Sequence, residues 1–452
     1  TEPLLSGPGA GGYMLVAGAG SRPVLLDFFV SAPGHGAAPA QIADLVPVEV
    51  DFAGDARQVF HVGAASCGAF GNPAGVDAAM RRWGSMELAD LAAPAAALGR
   101  DGVVVNAQQA EVVHLLEGIL RSTPTVAELF APGGNLLNPG DVFRSLELGD
   151  TIERLGADGA DPFYTGDIAA AIVEFVAAGG GLLTLEDLRR YEATVREPIT
   201  VSYRGREVLT NPPPSAGGIL IAYALRCLDA GPCPPSLWSL VNVMEEAQSL
   251  RTPEFVDGLG EPGFENAFLG SRLGSTTHIS VIDAEGRACA VTCTNGEGSG
   301  IVVPGTGIHL NNIMGEEDLS PLGFHRAPAG RRMPSMMSPT IVTRDGGVEL
   351  ALGSSGSNRI RSAILQTIVG VVDHGLDAAD AVNAPRVHFE QGVIAAEPGV
   401  PIEELGADPH PIQAFRAPNM FFGGVQAVCR DPETGALTGA GDPRRGGVAV
   451  VA

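Results

Sequence analysis

The residues of this 452-residue chain with the clearest chemical potential stand in Gly274-Ser-Thr-Thr-His-Ile-Ser-Val-Ile-Asp283, where a turn of small residues delivers Thr276 and Thr277 to the start of a strand. Threonine at a strand start ordinarily reflects β-propensity alone, because its branched side chain fits a pleated surface. Its hydroxyl is a poor nucleophile near neutral pH unless a base sits beside it. Here the pair keeps particular company. The following strand ends at Thr294, and downstream come Leu310-Asn-Asn312, Pro334-Ser-Met-Met-Ser-Pro-Thr340 and Leu352-Gly-Ser-Ser-Gly-Ser-Asn-Arg-Ile360.

Other chemistries are excluded by what is missing. All 28 basic residues are arginine, so no P-loop lysine, Ser-x-x-Lys base or Schiff-base lysine is possible. Gly7, Gly9 and Gly12 fit G-x-G-x-x-G, but that fingerprint must open a helix and Tyr13 onward reads as strand. No G-x-S-x-G elbow occurs. The six cysteines contain no Cys-x-x-Cys pair, and the nine histidines form no His-Glu-x-x-His pattern, so neither a metal nor any other cofactor is expected. Cys289 and Cys293, four apart on one strand, should share a face as small core residues. A net charge of -24 repels phosphate backbones and anionic lipid, which argues against nucleic-acid and membrane partners. No apolar run is long enough to span a bilayer and no signal-peptide succession marks Thr1, so a cytoplasmic location is expected. Thr1 to Gly12 nevertheless reads as the middle of an element, which leaves an earlier segment, and an export signal within it, open.

The elements that must position these residues follow from periodicity. Tyr13 to Ala17, Pro23 to Val30 and Val48 to Phe52 read as strands of a small opening sheet. From Val76 to about Arg190 the spacing is helical, over Met86 to Leu98 with Ser85 ahead of it, Gln109 to Leu120, Asp141 to Leu155, and Asp167 to Ala177 closed by Gly179 to Gly181. Ile199 to Leu209 returns to strand, and a stiff proline turn from Asn211 to Gly218 leads into a helix over Ile219 to Leu228. Gly231 to Gly274 is the most loop-like stretch of the first half. Strands then follow at Thr277 to Asp283, Ala288 to Thr294, Thr340 to Thr343 and Val348 to Leu352, with a helix over Arg359 to Val372. Helices and antiparallel strands in layers predict an α+β sandwich.

The blocks around Thr276, Asn312, Pro334 and Gly356, in this order, resemble the γ-glutamyltransferase superfamily of N-terminal-nucleophile (Ntn) hydrolases. The likeness extends to Ser6-Gly-Pro-Gly-Ala-Gly-Gly-Tyr-Met-Leu15, to the Gly71-Asn-Pro-Ala-Gly-Val76 turn and to Pro212-Pro-Pro-Ser-Ala-Gly-Gly218. It implies a four-layer αββα sandwich made as one precursor that cuts itself between Ser275 and Thr276. The pieces, 1–275 and 276–452, would form one intertwined domain, a heterodimer of the protein's own fragments that could pair again, acting on a small molecule. Once Thr276 is N-terminal its α-amino group, titrating at about 7.7 to 8.0, can accept the hydroxyl proton. By the same resemblance Thr294 is the second threonine that hydrogen-bonds the nucleophile. Gly356 and Ser357 stand at the glycine pair whose backbone N–H groups bind the oxyanion, with Ser357 replacing a glycine. Asn295, Asn312, Glu316 and Ser335 fall at substrate-binding positions.

The resemblance fails at the glutamate-reading residues. Phe29 stands where the family has a carboxylate-clamping arginine, Ile313 replaces a glutamine and Met336 replaces the second of two serines. Arg326, Arg331 and Arg332 are candidates for a substitute clamp. An apolar acyl group is therefore expected, on an amide or related bond. Two alternatives stand beside it: hydrolysis of a carbon-carbon bond in alkylproline-type secondary metabolism, on the actinobacterial routes to lincosamides and pyrrolobenzodiazepines, and a non-catalytic binding protein on the same scaffold.

Overall fold

The computed structural model describes residues 4–37, 42–52, 56–250, 277–320, 323–406 and 409–451. Ser275 and Thr276, the expected cleavage pair, lie outside the described residues. The chain divides into two compact units, Thr1–Gly12 with Leu26–Thr194 and Cys293–Met333, and Tyr13–Leu25 with Val195–Thr292 and Pro334–Ala452.

The first unit is mainly helical. Its most intimate contact joins the helices Leu88–Asp101 and Leu146–Asp158. Ala92, Ala96 and Gly99 recur at helical spacing on one, and Gly149 and Gly156 face them from the other. A Cβ on Gly99 would lie 3.0 Å from the Gly149 Cα, and one on Gly156 would lie 2.7 Å from the Ala92 Cβ. The small residues let the two backbones approach, which larger side chains would forbid. Apart from this pair, a cluster of Phe70, Phe163, Ile168, Ile172, Val176 and Leu188 is completed by Ile301, Val303, Ile308 and Leu310. Residues from before and after the expected cleavage point thus share one core.

The second unit holds a six-stranded sheet in the order Leu437–Gly441, Gly424–Arg430, Gly347–Ser355, Thr340–Arg344, Arg206–Thr210, Ile199–Tyr203. Each neighbouring pair in it is antiparallel. Helices Ala216–Asp229 and Arg359–Val372 pack on this sheet. The hairpin strand Thr277–Ile282 packs against Gly347–Ser355 and Gly424–Arg430. That strand edges a five-stranded sheet in which Arg287–Thr294, Gly11–Gly18, Ser21–Phe28 and Thr194–Arg196 follow in order. Within this unit the six-stranded sheet thus carries helices and also packs against the strand Thr277–Ile282.

Several expectations are corrected. Among the described residues Val46–Phe52 does not join the opening sheet but pairs with Ala56–Val62 as a separate hairpin. The Gly71 to Val76 turn is instead the start of helix Asn72–Trp83: proline is tolerated in a first turn, and Gly75 is required because a Cβ there would lie 2.3 Å from the Phe28 ring. Ser85 does not cap the next helix, which begins at Leu88 after Glu87 and carries Pro94 within it. Gln109 to Leu120 is two helices, Ala107–Leu115 and Glu117–Leu120, the first started by a capping box between Asn106 and Gln109. Val142–Phe143 is a short strand, and the helix that follows begins at Leu146 with the Ser145 hydroxyl accepting from the Leu148 N–H. Part of the stretch read as loop forms helix Leu237–Ser249. Cys289 and Cys293 do share a face, yet it is the half-buried one, and Ala288, Ala290, Thr292 and Thr294 take the core side.

Substituting Gly156→Val should cost about 1–3 kcal/mol by overpacking the helix pair. Urea denaturation monitored by circular dichroism reads this directly, and an unchanged midpoint would contradict the close approach.

Candidate active site

Within the second unit, the strand Gly347–Ser355 ends at the pair Ser355↔Gly424, and helix Arg359–Val372 begins four residues later. Gly356 bridges the gap with φ of 114° and Ser357 with φ of 56°. A Cβ on Gly356 would lie 2.5 Å from the Gly423 Cα, so no side chain fits there. Ser357 occupies the left-handed region that its counterpart glycine would favour, so the replacement keeps the backbone shape at a cost of about 1–2 kcal/mol. The carbonyls of Gly356 and Ser357 accept from the N–H groups of Arg359 and Ile360, each at 3.1 Å. Their own N–H groups take no part in those bonds. On the same unit, Ser335 and Met336 lie in a turn held by the proline loop: the Ser335 carbonyl accepts from the Ser215 hydroxyl at 3.0 Å and from the Ala216 N–H at 2.8 Å. The Ser335 hydroxyl accepts from the Met337 N–H, and Met336 is fully buried.

In the first unit, Thr294, Asn295, Asn312, Ile313 and Glu316 come together around Gly296. The Thr294 hydroxyl accepts from the Gly296 N–H at 2.7 Å, which fixes its rotamer. The Asn295 N–H donates to the Leu5 carbonyl and its own carbonyl accepts from the Asn312 N–H, both at 2.9 Å. Asn312 Oδ1 accepts from the Glu297 N–H at 3.1 Å and Nδ2 donates to the His61 carbonyl. A Cβ on Gly296 would lie 2.1 Å from Asn312 Oδ1 and 2.3 Å from Glu316 Oε1, so only glycine lets these two side chains converge. Ile313 opens a 3-10 turn, Ile313–Gly315, and is completely buried.

Phe29 belongs to the same unit. It is buried, and its carbonyl accepts from the Tyr191 hydroxyl at 2.6 Å and from the Arg332 guanidinium. Arg332 also bonds the Ser31 hydroxyl and the Glu192 carbonyl, pairs with Asp27 and lies 4.7 Å from the centre of the Tyr191 ring. This guanidinium braces the strand end carrying Phe29. It is therefore not the substitute clamp among the three arginines considered. Arg326 is exposed and Arg331 half-buried.

Two buried, hydrogen-bonded polar residues beside these carry no signal of their own in the sequence. Asn311, one residue before Asn312, is fully buried: its Oδ1 accepts from the N–H groups of Gly68 and Ile313, and its Nδ2 donates to the carbonyls of Gly9 and Gly68. His278, two residues after Thr276, is buried between Thr292 and Ser280, at 2.7 Å from Nδ1 and 2.9 Å from Nε2 respectively. Burial pushes its pKa down to about 3, and that of the buried His309 down to about 4. Both imidazoles are thus neutral at ordinary pH. Among the described residues no group of three or more His, Cys, Asp or Glu could hold a metal ion, and no helix is long and apolar enough to cross a membrane.

The family model for gamma-glutamyltranspeptidase matches residues 1–240 and 264–452. The chain belongs to the gamma-glutamyltranspeptidase family. It is 31% identical over 487 residues to the Acylase ACY 1 proenzyme of Pseudomonas sp. (strain SE83), covering 99% of this chain and 86% of that one. It is likewise 31% identical over 502 residues to the glutathione hydrolase proenzyme of Escherichia coli (strain K12), covering 98% and 84%. The crystal structure of cephalosporin acylase from Bacillus halodurans superposes with a TM-score of 0.82 at 24% identity, over 99% of this chain and 88% of that one. The α+β, Ntn-hydrolase type of fold read from the sequence is the one these relatives share, and the gamma-glutamyltranspeptidase-family chain is an enzyme of the Ntn-hydrolase class.

The buried histidines give the fold an acid-sensitive side. An imidazole whose folded pKa lies below its unfolded value of 6.5 contributes stability that is complete above that pH and is lost as pH falls toward 3 or 4. The loss should be on the order of 1 kcal/mol per pH unit for each imidazole. Urea midpoints should be flat from pH 7 to 8 and fall below about pH 6, with His278→Gln removing part of the slope. A slope unchanged in that variant would contradict the assignment.

Proposed function

We propose that this enzyme is a self-processing N-terminal-threonine hydrolase that opens an amide bond of a small molecule carrying an apolar acyl group. In the precursor the Thr276 hydroxyl attacks the Ser275 carbonyl, and its proton passes to the departing nitrogen. Water then cleaves the resulting ester. The freed α-amine becomes the base for the same hydroxyl, with Thr294 orienting it. In turnover the hydroxyl proton goes to that amine and on to the leaving amine of the substrate, while the N–H groups of Gly356 and Ser357 hold the oxyanion. Such a donor is typically worth about 10²- to 10³-fold in rate. A second attack, by water, releases the acid. The two fragments stay together because the first unit's core draws on both.

The observation that carries the acyl preference is the burial of Phe29, Ile313 and Met336, three apolar residues at positions where the family reads a glutamate, none more than 1% exposed. Asn295, Asn312 and Glu316, gathered around Gly296, would supply polar contacts for the amide end. The acylase relatives support the same direction.

Purified wild type should be two fragments and Thr276→Ala a single full-length chain without activity. On p-nitroanilides, hexanoyl should exceed γ-glutamyl in kcat/KM by at least tenfold. Turnover of the γ-glutamyl compound at the higher rate would refute the apolar pocket, and fragments from Thr276→Ala would refute the nucleophile.

A further inference from the structure

The first hydrogen-bonded histidine after the proposed nucleophile has no part in the chemistry described so far, yet its surroundings are built for one orientation. Ser280 donates its only hydroxyl proton to the Gln426 carbonyl at 3.1 Å, so its oxygen must accept from His278 Nε2–H at 2.9 Å. A neutral imidazole then has no proton left on Nδ1, which accepts from the Thr292 hydroxyl at 2.7 Å. The bonds run in one direction from Thr292 through the ring and Ser280 to the neighbouring sheet. The imidazole lies against Gly353: a Cβ there would be 2.2 Å from Cε1, 2.3 Å from Nδ1 and 2.7 Å from Nε2.

Each end of this arrangement leads to a reacting group. His278 is two residues beyond Thr276, Thr292 is two residues before Thr294 on the same buried strand face, and Gly353 is three residues before Gly356. From these placements we infer that His278 is a positioning residue, whose neutral ring locks the head of the nucleophile strand to the strand that carries the oxyanion turn. This role rests on Thr276 being the nucleophile. It transfers no proton to substrate. Its work is to remove the sliding and tilting of one strand against the other that would misplace the hydroxyl, and misplacements of this kind are costly when the reacting atoms must meet at about 3 to 3.5 Å.

The test uses the full-length chain and its own cleavage, so no external substrate is needed. Precursor freshly made in a pulse-labelled cell-free reaction is followed by gel for wild type, His278→Ala, His278→Gln, Gly353→Ala and Thr276→Ala. Gly156→Val, destabilised far away in sequence in the helical unit, serves as the stability reference. Expected are at least tenfold slower first-order cleavage in His278→Ala and in Gly353→Ala, whose methyl group displaces the ring. His278→Gln should recover much of the rate, since an amide can accept from Thr292 and donate to Ser280. Gly156→Val should cleave at the wild-type rate despite its lower melting temperature. Wild-type rates in both His278→Ala and Gly353→Ala would overturn the positioning role while leaving the nucleophile intact. Equal slowing in Gly156→Val would also overturn it, by reducing the effect to stability. Cleavage in Thr276→Ala would instead remove the nucleophile reading and the positioning role with it.

Discussion

Between Ser355, the last residue of its strand, and Arg359, the first of its helix, the backbone reverses direction while passing close enough to Gly423 that a Cβ on Gly356 would stand 2.5 Å from its Cα. That passage, with two consecutive positive φ angles, is the constraint around which the second unit is arranged. It commits the carbonyls of Gly356 and Ser357 to the helix that follows, in a strand-to-helix turn of the kind that can present N–H groups to an anion. The six-stranded sheet holds one side of the turn through Ser355↔Gly424. The His278 ring, seated on Gly353, braces the strand that leads into it.

A comparable economy of space governs the first unit. Gly296 is small so that Asn312 and Glu316 can converge over it, and Asn311 and Asn312 between them tie together Gly9, His61, Gly68 and the Glu297 backbone. Buried amides of this kind are satisfied by backbone groups and therefore hold loops in one shape. Arg332 does the same for the Phe29 strand end, where the Asp27 carboxylate, three further oxygens and an aromatic face engage its guanidinium. Arg332, remote in sequence from Phe29, is thus committed to the oxygens around that strand end.

Much of this was legible in residue types. The helix Arg359–Val372 and the hairpin strands after Thr276 announced themselves by period and by their bounding turns. What was not legible depended on partners remote in sequence. The start of helix Asn72–Trp83 reads as a turn, over Gly71 to Val76, because glycine and proline punctuate it, whereas Gly75 is there for the ring of Phe28 and Pro73 sits where a helix accepts it. The Leu237–Ser249 helix was hidden behind Pro234 and Pro235, with Ser236 capping its start. His278 and Thr292 looked like ordinary strand residues, since only the pairing of their strands shows that one ring joins them. Arg332 looked free to bind a carboxylate until its oxygen partners were in view.

The proposed chemistry depends on a hydroxyl that acquires its base only when the peptide bond before it is broken. Mass spectrometry and Edman sequencing of the smaller fragment from active protein test this most directly. The expected smaller fragment begins at Thr276 with an unblocked α-amine. A smaller fragment that begins at any other residue, or full activity from a chain that has never been cut, would contradict it.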